Sequence, residues 1–338
     1  MRVLTSDGLA DDDVVAAFRA LPAAVYHDDP VWAPQSELAV TDTLDRARRG
    51  ETRVQVIAVL ADGDPVARVM AILDPGAGSE GWVGLFECRP GAQDAGVAAL
   101  DAARDWLAGQ GAATAVGPRV DALRAGLLIE GFDQPHTIFT AHNPACYPPV
   151  FEAAGFTPVT RMHSVVFSRE RAPTFRRLPR DVAIRHPDPA RVDDELAAIE
   201  AFQSAVFAAG GVGRVPRDRR ASGRLMGQLL PVLDLDLVVL AEDKAGALVG
   251  VLVCLPDAWQ EPPVDRARLI SVGVLPGWRG RRVAMAMGAD VAATLIRKGY
   301  RTLEGSWVRH DNRRPQVLAR ALGAQPGRVF ALLSADLR

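Results

Sequence analysis

Arginine and glycine alternate over a short stretch in the second half of the chain. The apolar segment 271–275 leads into the loop Pro276-Gly277-Trp278-Arg279-Gly280-Arg281-Arg282, and a helix is predicted over 283–297. Backbone N–H groups at a helix N-terminus attract phosphate oxygens. Gly280 lets the backbone approach an anion closely, and arginine donates charge-assisted hydrogen bonds to phosphate. The spacing therefore predicts a pyrophosphate site at the start of this helix.

The same stretch resembles the acyl-CoA signature of the GCN5-related N-acetyltransferases, the GNAT superfamily. That signature reads Arg/Gln-x-x-Gly-x-Gly/Ala, and it falls here on Arg279, Arg282 and Ala284, with Arg282 in place of the central glycine. The resemblance implies an acyl-CoA co-substrate, with acetyl-CoA as the default. It also implies a binding set made of the strand end, the loop, the helix start and an asparagine near the pantetheine: Val272, Gly273, Val274, Arg279, Gly280, Arg281, Arg282, Val283, Ala284 and Asn312.

The resemblance also assigns roles in the chemistry. Backbone amides of 272–274 are expected to hold the thioester carbonyl. Many members of the superfamily place a tyrosine four residues before the helix-ending glycine, where it protonates the leaving thiolate. That position is Ala319 in this sequence, so the identity of the acid stays open.

Three side chains are candidates for moving protons during acyl transfer, which needs a route for the proton of the amine. Glu304 lies on a predicted strand, on the same face as Ser306, and is either a base or a solvated or paired carboxylate. Asp257 follows Pro256 at a strand end, where an aspartate also stabilises turns. Tyr147 could donate its phenol from the first half of the chain, or could simply pack at the start of a helix.

The elements that position these residues occur twice along the chain. Both halves show the same order of alternating apolar strands and periodic helices. The helix-ending glycines Gly111 and Gly155 of the first half match Gly299 and Gly323 of the second. The sequence therefore predicts an α/β (α+β) protein with two tandem GNAT-like domains over residues 1–170 and 181–338, each a mixed central sheet flanked by helices.

The first half lacks the phosphate loop. Its corresponding junction reads Arg89-Pro90-Gly91-Ala92-Gln93-Asp94, with one glycine and an acidic residue at the helix start, so this domain is expected to lack CoA. Segments such as Gly117-Pro118 and 126–135, with Asp311-Asn312 in the second half, resemble a bacterial family of tandem GNAT-like proteins. That resemblance covers almost the whole chain and leaves the acceptor open.

Composition narrows the remaining possibilities. The 338 residues are 49% hydrophobic and 24% charged, with a net charge of −2, so a nucleic-acid partner is not expected. Neither the three cysteines nor the histidines show metal-ligand spacing, and no metal is predicted. No secretory signal or membrane-spanning stretch is visible, so we expect a cytoplasmic protein without a membrane partner.

The favoured hypothesis is an acyl-CoA-dependent N-acyltransferase acting on a small amine or biosynthetic intermediate, with a homodimer among the assemblies considered. In this hypothesis, the second domain binds acyl-CoA and the first domain completes the acceptor pocket. Two alternatives stay open. One is an aminoacyl-tRNA-dependent transferase, and the other is a catalytically silent binding protein, which the arginine at 282 and the alanine at 319 would favour. The glycine- and arginine-rich segment 210–224 is either an acceptor-binding loop or a solvated loop.

Overall fold

The chain divides into two units, and one of them is assembled from two separate stretches of sequence. The computed structural model describes residues 1–8, 10–27, 35–120, 124–171, 179, 181–208 and 230–337. Unit 1 comprises Met1–Met162 and Arg328–Arg338, and unit 2 comprises His163–Gly327. The predicted division is therefore wrong at the C-terminus, because residues 328–338 belong to unit 1 and not to the second domain.

Unit 1 contains a sheet in which all neighbouring strands are antiparallel except β4 and β5. Its strand order is β1-β2-β3-β4-β5-β13, and β6 pairs with β13. The strands are β1 (Arg2–Asp7), β2 (Arg53–Ala61), β3 (Asp64–Leu73), β4 (Glu80–Cys88), β5 (Thr114–Arg119), β6 (Leu127–Glu130) and β13 (Gln325–Asp336). The helices described for this unit are α1 (Asp12–Val25), α2 (Gln35–Arg48), α3 (Gln93–Gly109) and α4 (Tyr147–Ala153).

Unit 2 repeats this plan with strand order β7-β12-β11-β10-β9-β8. Its parallel pair is β11 and β12. The strands are β7 (Thr157–Ser168), β8 (Val182–Arg185), β9 (Val238–Asp243), β10 (Leu248–Pro256), β11 (Arg266–Val274) and β12 (Thr302–Arg309). The helices described for it are α5 (Val192–Ala208), α6 (Val283–Arg297) and α7 (Arg313–Ala321).

Two strands pass from one unit to the other. β7 follows α4 of unit 1 but ends in unit 2, and β13 follows α7 of unit 2 but ends in unit 1. The end of β13 pairs with β5 from Leu333↔Gly117 to Asp336↔Thr114. The sheet of unit 1 is thus completed by residues that follow the whole of unit 2 in the sequence.

Helix α6 shows how the sequence specifies these elements. Apolar residues recur every four positions at Val283, Met287, Val291 and Leu295, and all four are buried against strands of unit 2. This spacing places them on one face of a helix. The helix ends just before Gly299, whose φ of +90° suits glycine in a helix-terminating position. The core of unit 2 therefore fixes where the N-terminus of α6 lies.

Within the described residues, no helix is long and apolar enough to cross a membrane. The same part of the chain contains no group of three or more histidine, cysteine, aspartate or glutamate side chains able to hold a metal ion.

Candidate active site

The strands β11 and β12 pair only over their first halves. Their parallel register runs from Arg266↔Thr302 to Leu269↔Gly305. Beyond this point, the pairing of β11 with β10 skips Ile270, which forms a bulge. A gap between β11 and β12 therefore opens immediately after Leu269.

Two backbone N–H groups of β11 point into this gap. Leu275 donates its backbone N–H to Val249 of β10, at 3.0 Å. Because N–H groups alternate in direction along an antiparallel strand, those of Val272 and Val274 point away from β10. The backbone N–H of Gly273 points toward β10 instead. Helix α5 covers this residue, because a Cβ at Gly273 would lie 3.3 Å from Phe202. Two of the three predicted carbonyl-binding amides thus face the gap.

The arginine-rich loop lies between β11 and α6. A single 3-10 turn, Pro276–Trp278, redirects the chain. Arg279 donates from Nε to the carbonyl of Val274 at 3.1 Å. Arg281 lies over the Trp278 ring at 4.9 Å, and its Nη1 is 3.4 Å from the carboxylate of Asp181. Both arginines are exposed, and surface pairs of this kind contribute little stability, so both can turn to a bound phosphate.

Arg282 adopts a backbone conformation that favours glycine. Its φ is +65° and its ψ is 15°, at the N-cap position of α6. Its side chain makes no capping hydrogen bond, so it does not satisfy the first N–H groups of the helix. Gly280 also has a positive φ, +82°, and a Cβ there would meet no atom within 4 Å. The loop therefore presents an accessible backbone beside the helix N-terminus, the arrangement that binds an anion.

An apolar cavity of about 310 Å³ continues from the gap into unit 2. Its walls are formed by β7, β11, α6, β12 and α7. Of the predicted binding residues, Val272, Ala284 and Asn312 line it, and so does Ala319, which stands where a catalytic tyrosine was expected. Most of the lining is aliphatic or glycine, as at Leu269, Gly288, Leu295, Gly305, Leu318 and Leu322. The cavity therefore suits a hydrocarbon chain.

Glu304 lies on the opposite face of the sheet from α6. Ala267 and Leu269 pack against α6, so the intervening Arg268 and its register partner Glu304 face the other side. Both are nearly fully buried, at 2% and 6% exposure. Arg268 donates from Nε to the hydroxyl of Ser306 at 3.1 Å. The structure thus places a carboxylate, a guanidinium and a hydroxyl together beside the gap, and of these three residues only Ser306 lines the cavity.

Two residues of this region, Arg268 and Ser271, could not be predicted from the sequence. Arg268 was not predicted because it precedes the apolar segment 271–275, and a charged residue there does not indicate what it pairs with. The hydroxyl of Ser271 accepts a hydrogen bond from Gln203 of α5 at 2.8 Å, and no local pattern indicated that contact. Arg268 becomes visible only when β11 and β12 are aligned in register, and Ser271 only when α5 is packed beside β11.

None of the three proposed proton carriers lines the cavity, and Asp257 and Tyr147 are held by other partners. Asp257 is fully buried, and its carboxylate forms an ion pair with Arg266 at 2.9 Å. Its backbone N–H also bonds to the carbonyl of Arg266, which closes the β10–β11 hairpin. Tyr147 is buried in unit 1, where its hydroxyl donates to Glu87 at 2.6 Å. The segment 209–229, including the arginines considered for acceptor binding, lies outside the described residues.

No family model matches the sequence. The chain is 26% identical to a protein named bacterial ceramide synthase from Caulobacter vibrioides, over 90% of this chain and 90% of that protein. A solved tandem GNAT protein from the clavulanic acid biosynthesis pathway has a TM-score of 0.63 at 16% identity, over 100% of this chain and 99% of that one. A GCN5-related N-acetyltransferase from Sphaerobacter thermophilus has a TM-score of 0.56 at 18% identity, over 99% and 96%. The chain has the tandem GNAT fold, and the predicted fold class is confirmed.

Proposed function

We propose that unit 2 transfers an acyl group from acyl-CoA to an amine, and that this acyl group is a long hydrocarbon chain rather than acetyl. One observation carries the proposal. The gap between β11 and β12, with two N–H groups directed into it, continues into an apolar cavity of about 310 Å³. Burial stabilises an acyl chain by roughly 0.8 kcal/mol for each methylene. An acetyl group would be too short to contact most of the apolar side chains that line the cavity.

The residues around the gap support a direct transfer. The amine nitrogen attacks the thioester carbonyl carbon, a C–N bond forms, and the C–S bond breaks to release the thiolate of CoA. The N–H groups of Val272 and Val274 are positioned to donate to the carbonyl oxygen as its charge develops. Glu304 is the carboxylate we assign to accept the proton lost by the nitrogen, and the thiolate takes its proton from solvent. Arg279, Arg281 and the α6 N-terminus would hold the pyrophosphate.

The curated relative supports a class of acceptor. Ceramide is the N-acyl derivative of a long-chain amino alcohol, and a protein with that synthase name aligns over most of this chain. We therefore propose a long-chain amino alcohol as the acceptor, in place of the small amine considered first. The acyl chain and the acceptor would then both be lipidic.

Calorimetry tests the donor half of the proposal. Dodecanoyl-CoA and acetyl-CoA are titrated into the native protein and into the Arg279→Ala/Arg281→Ala variant, with Arg161→Ala, an exposed arginine of β7, as the control. We expect tighter binding of dodecanoyl-CoA, with weaker binding of both ligands only in the double variant. If neither dodecanoyl-CoA nor acetyl-CoA binds the native protein, acyl-CoA is rejected as the donor.

Mass spectrometry tests the transfer itself. The protein is incubated with dodecanoyl-CoA and either sphinganine or a short amine such as ethanolamine, and the amide product is measured. We expect amide from sphinganine, and a large fall in kcat for Glu304→Gln with the Kd of dodecanoyl-CoA unchanged. Binding of acyl-CoA without any amide product would contradict the proposal and favour a binding protein.

A further inference from the structure

The two units differ in the space between their last two helices. In unit 1, α3 and α4 pack directly on each other, and a Cβ at Gly96 of α3 would lie only 2.8 Å from Val150 of α4. Phe86 fills the space beneath them, with ring centroids 4.9 Å from both Tyr147 and Phe151. The interior of unit 1 is closed at this point.

In unit 2, the corresponding helices α6 and α7 both line the cavity. When the units are aligned on Gly111 and Gly299, Leu100 of α3 corresponds to Gly288 of α6. Leu100 is fully buried in the core of unit 1, whereas Gly288 forms part of the cavity wall. One repeat thus carries a large aliphatic side chain at the position where the other carries none.

Neither packing nor backbone geometry explains the glycine at 288. A Cβ there would meet no atom within 4 Å, and its φ is not in the left-handed region. Glycine inside a helix is destabilising relative to alanine. Its effect at this position is to keep the cavity wide midway along α6. The cavity extends from Ala284 past Gly288 to Leu295 and Ile296, a distance of about 18 Å at the helical rise per residue.

We infer that Gly288 determines the length of the acyl chain that the cavity accepts, an inference that rests on the proposed function. The chain would enter at Ala284, beside the gap, and pass Gly288 before reaching Leu295. A side chain at position 288 would close this path and leave room only for a short acyl group near the gap. Gly288 is thus a specificity-determining position, and it takes no part in the chemistry.

The test replaces Gly288 with the residue found in the other repeat. Gly288→Leu is compared with Ala293→Leu, which places the same side chain on the exposed face of the same helix. Calorimetry measures the Kd of acetyl-, octanoyl- and dodecanoyl-CoA for each protein. Each methylene excluded costs about fourfold in affinity. We expect Gly288→Leu to weaken dodecanoyl-CoA binding by about 250-fold, as four lost methylenes would, with acetyl-CoA affinity unchanged. Ala293→Leu should match the native protein.

A thermal scan shows whether Gly288→Leu is folded. Its Tm should rise, because the leucine fills a cavity and a helical glycine is removed. Gly288→Ala narrows the cavity less and should give a smaller loss in the same direction, so it carries the test if the leucine variant does not fold. Unchanged dodecanoyl-CoA affinity in folded Gly288→Leu would overturn the inference, as would equal affinity of the native protein for all three ligands. If the native protein binds no acyl-CoA at all, the proposed function fails instead.

Discussion

The phenol oxygen of Tyr147 accepts a hydrogen bond from the backbone N–H of Cys88 at 2.8 Å. The next residue, Arg89, donates its N–H to Val66 of β3, so the N–H of Cys88 points away from β3. Cys88 precedes Pro90-Gly91 just as Val274 precedes Pro276-Gly277. A tyrosine of unit 1 therefore binds the amide whose counterpart in unit 2 faces the gap.

This contact predicts that Tyr147 is structural and has no role in acyl transfer. Its hydroxyl also donates to Glu87, whose pKa is raised by burial. Tyr147→Phe should lower the free energy of unfolding by about 1–3 kcal/mol, because a buried carboxylate and a buried N–H both lose a partner. The Kd of dodecanoyl-CoA should stay the same. Urea unfolding and calorimetry measure the two quantities.

Tyr300→Phe is the control for that experiment, since Tyr300 is only half-buried and belongs to unit 2. It should leave the unfolding free energy nearly unchanged. A Tyr147→Phe variant with native stability but a reduced kcat would contradict this prediction and indicate that the phenol donates a proton in the reaction.

Arg282 provides a second prediction, because a non-glycine residue with φ of +65° is strained. Arg282→Gly should raise the free energy of unfolding by up to about 1 kcal/mol, while keeping the backbone N–H groups at the start of α6 in place. Arg282→Val loses the same charge but suits this conformation poorly, so its stability should fall. Thermal unfolding orders the three proteins. Equal stability of the glycine and valine variants would show that the conformation at 282 is not strained.

Asp257 provides a third prediction, which separates a structural ion pair from a catalytic base. Removing one partner of a buried pair leaves the other charge uncompensated, so Asp257→Asn should cost about 3 kcal/mol of stability. The pH profile of kcat should keep its shape, because the Asp257 carboxylate is paired with Arg266 at the end of the β10–β11 hairpin. Glu261→Gln, in the exposed loop that follows, is the control. A shifted pH profile in a stably folded Asp257→Asn variant would instead identify a base.

The fourth prediction concerns pH and Asp74 of unit 1. Burial acts to raise the pKa of this carboxyl, but Arg119 at 2.8 Å and Arg46 at 2.7 Å outweigh it and hold the pKa below its usual range. A lowered pKa in the folded state adds stability that is present above the unfolded pKa and is lost as the pH falls through the folded value.

Asp74→Asn should therefore cost about 2 kcal/mol at neutral pH, and the difference from the native protein should shrink below about pH 4. Urea unfolding at a series of pH values measures this difference. Asp45→Asn, which removes an exposed partner of Arg48, should show no such dependence. A difference that grows as the pH falls would contradict the assigned ion pairs.

Much of the fold could be predicted because local patterns specify it. Apolar periodicity and a terminal glycine placed the helix at 283–297, and the structure confirms both ends. Alternating apolar residues over 54–60 and 66–73 predict two strands, and the structure has β2 and β3 there with slightly wider bounds. The repeat of the two halves followed from glycines that need positive φ, such as Gly111 and Gly299.

The rest depends on contacts between distant residues. The alternating apolar residues of β13 indicate a strand, but they do not indicate that β5 is its partner. Asp257 and Tyr147 could not be separated from catalytic candidates, because a sequence shows that a side chain can ionise and not what it pairs with. Gly288 was unremarkable within an apolar helix, and its meaning depends on the empty space beside it.

The position of β13 in the sequence constrains the order in which the two units can fold during synthesis on the ribosome. Residues 114–119 emerge early, yet the strand that pairs with them follows all of unit 2. Unit 1 must therefore wait, with one edge of its sheet unpaired, while unit 2 is synthesised. Exposed strand edges of this kind favour aggregation and binding by chaperones. Unit 2 is one continuous stretch, His163–Gly327, so the half that carries the cavity is fully synthesised before the half that precedes it can be completed.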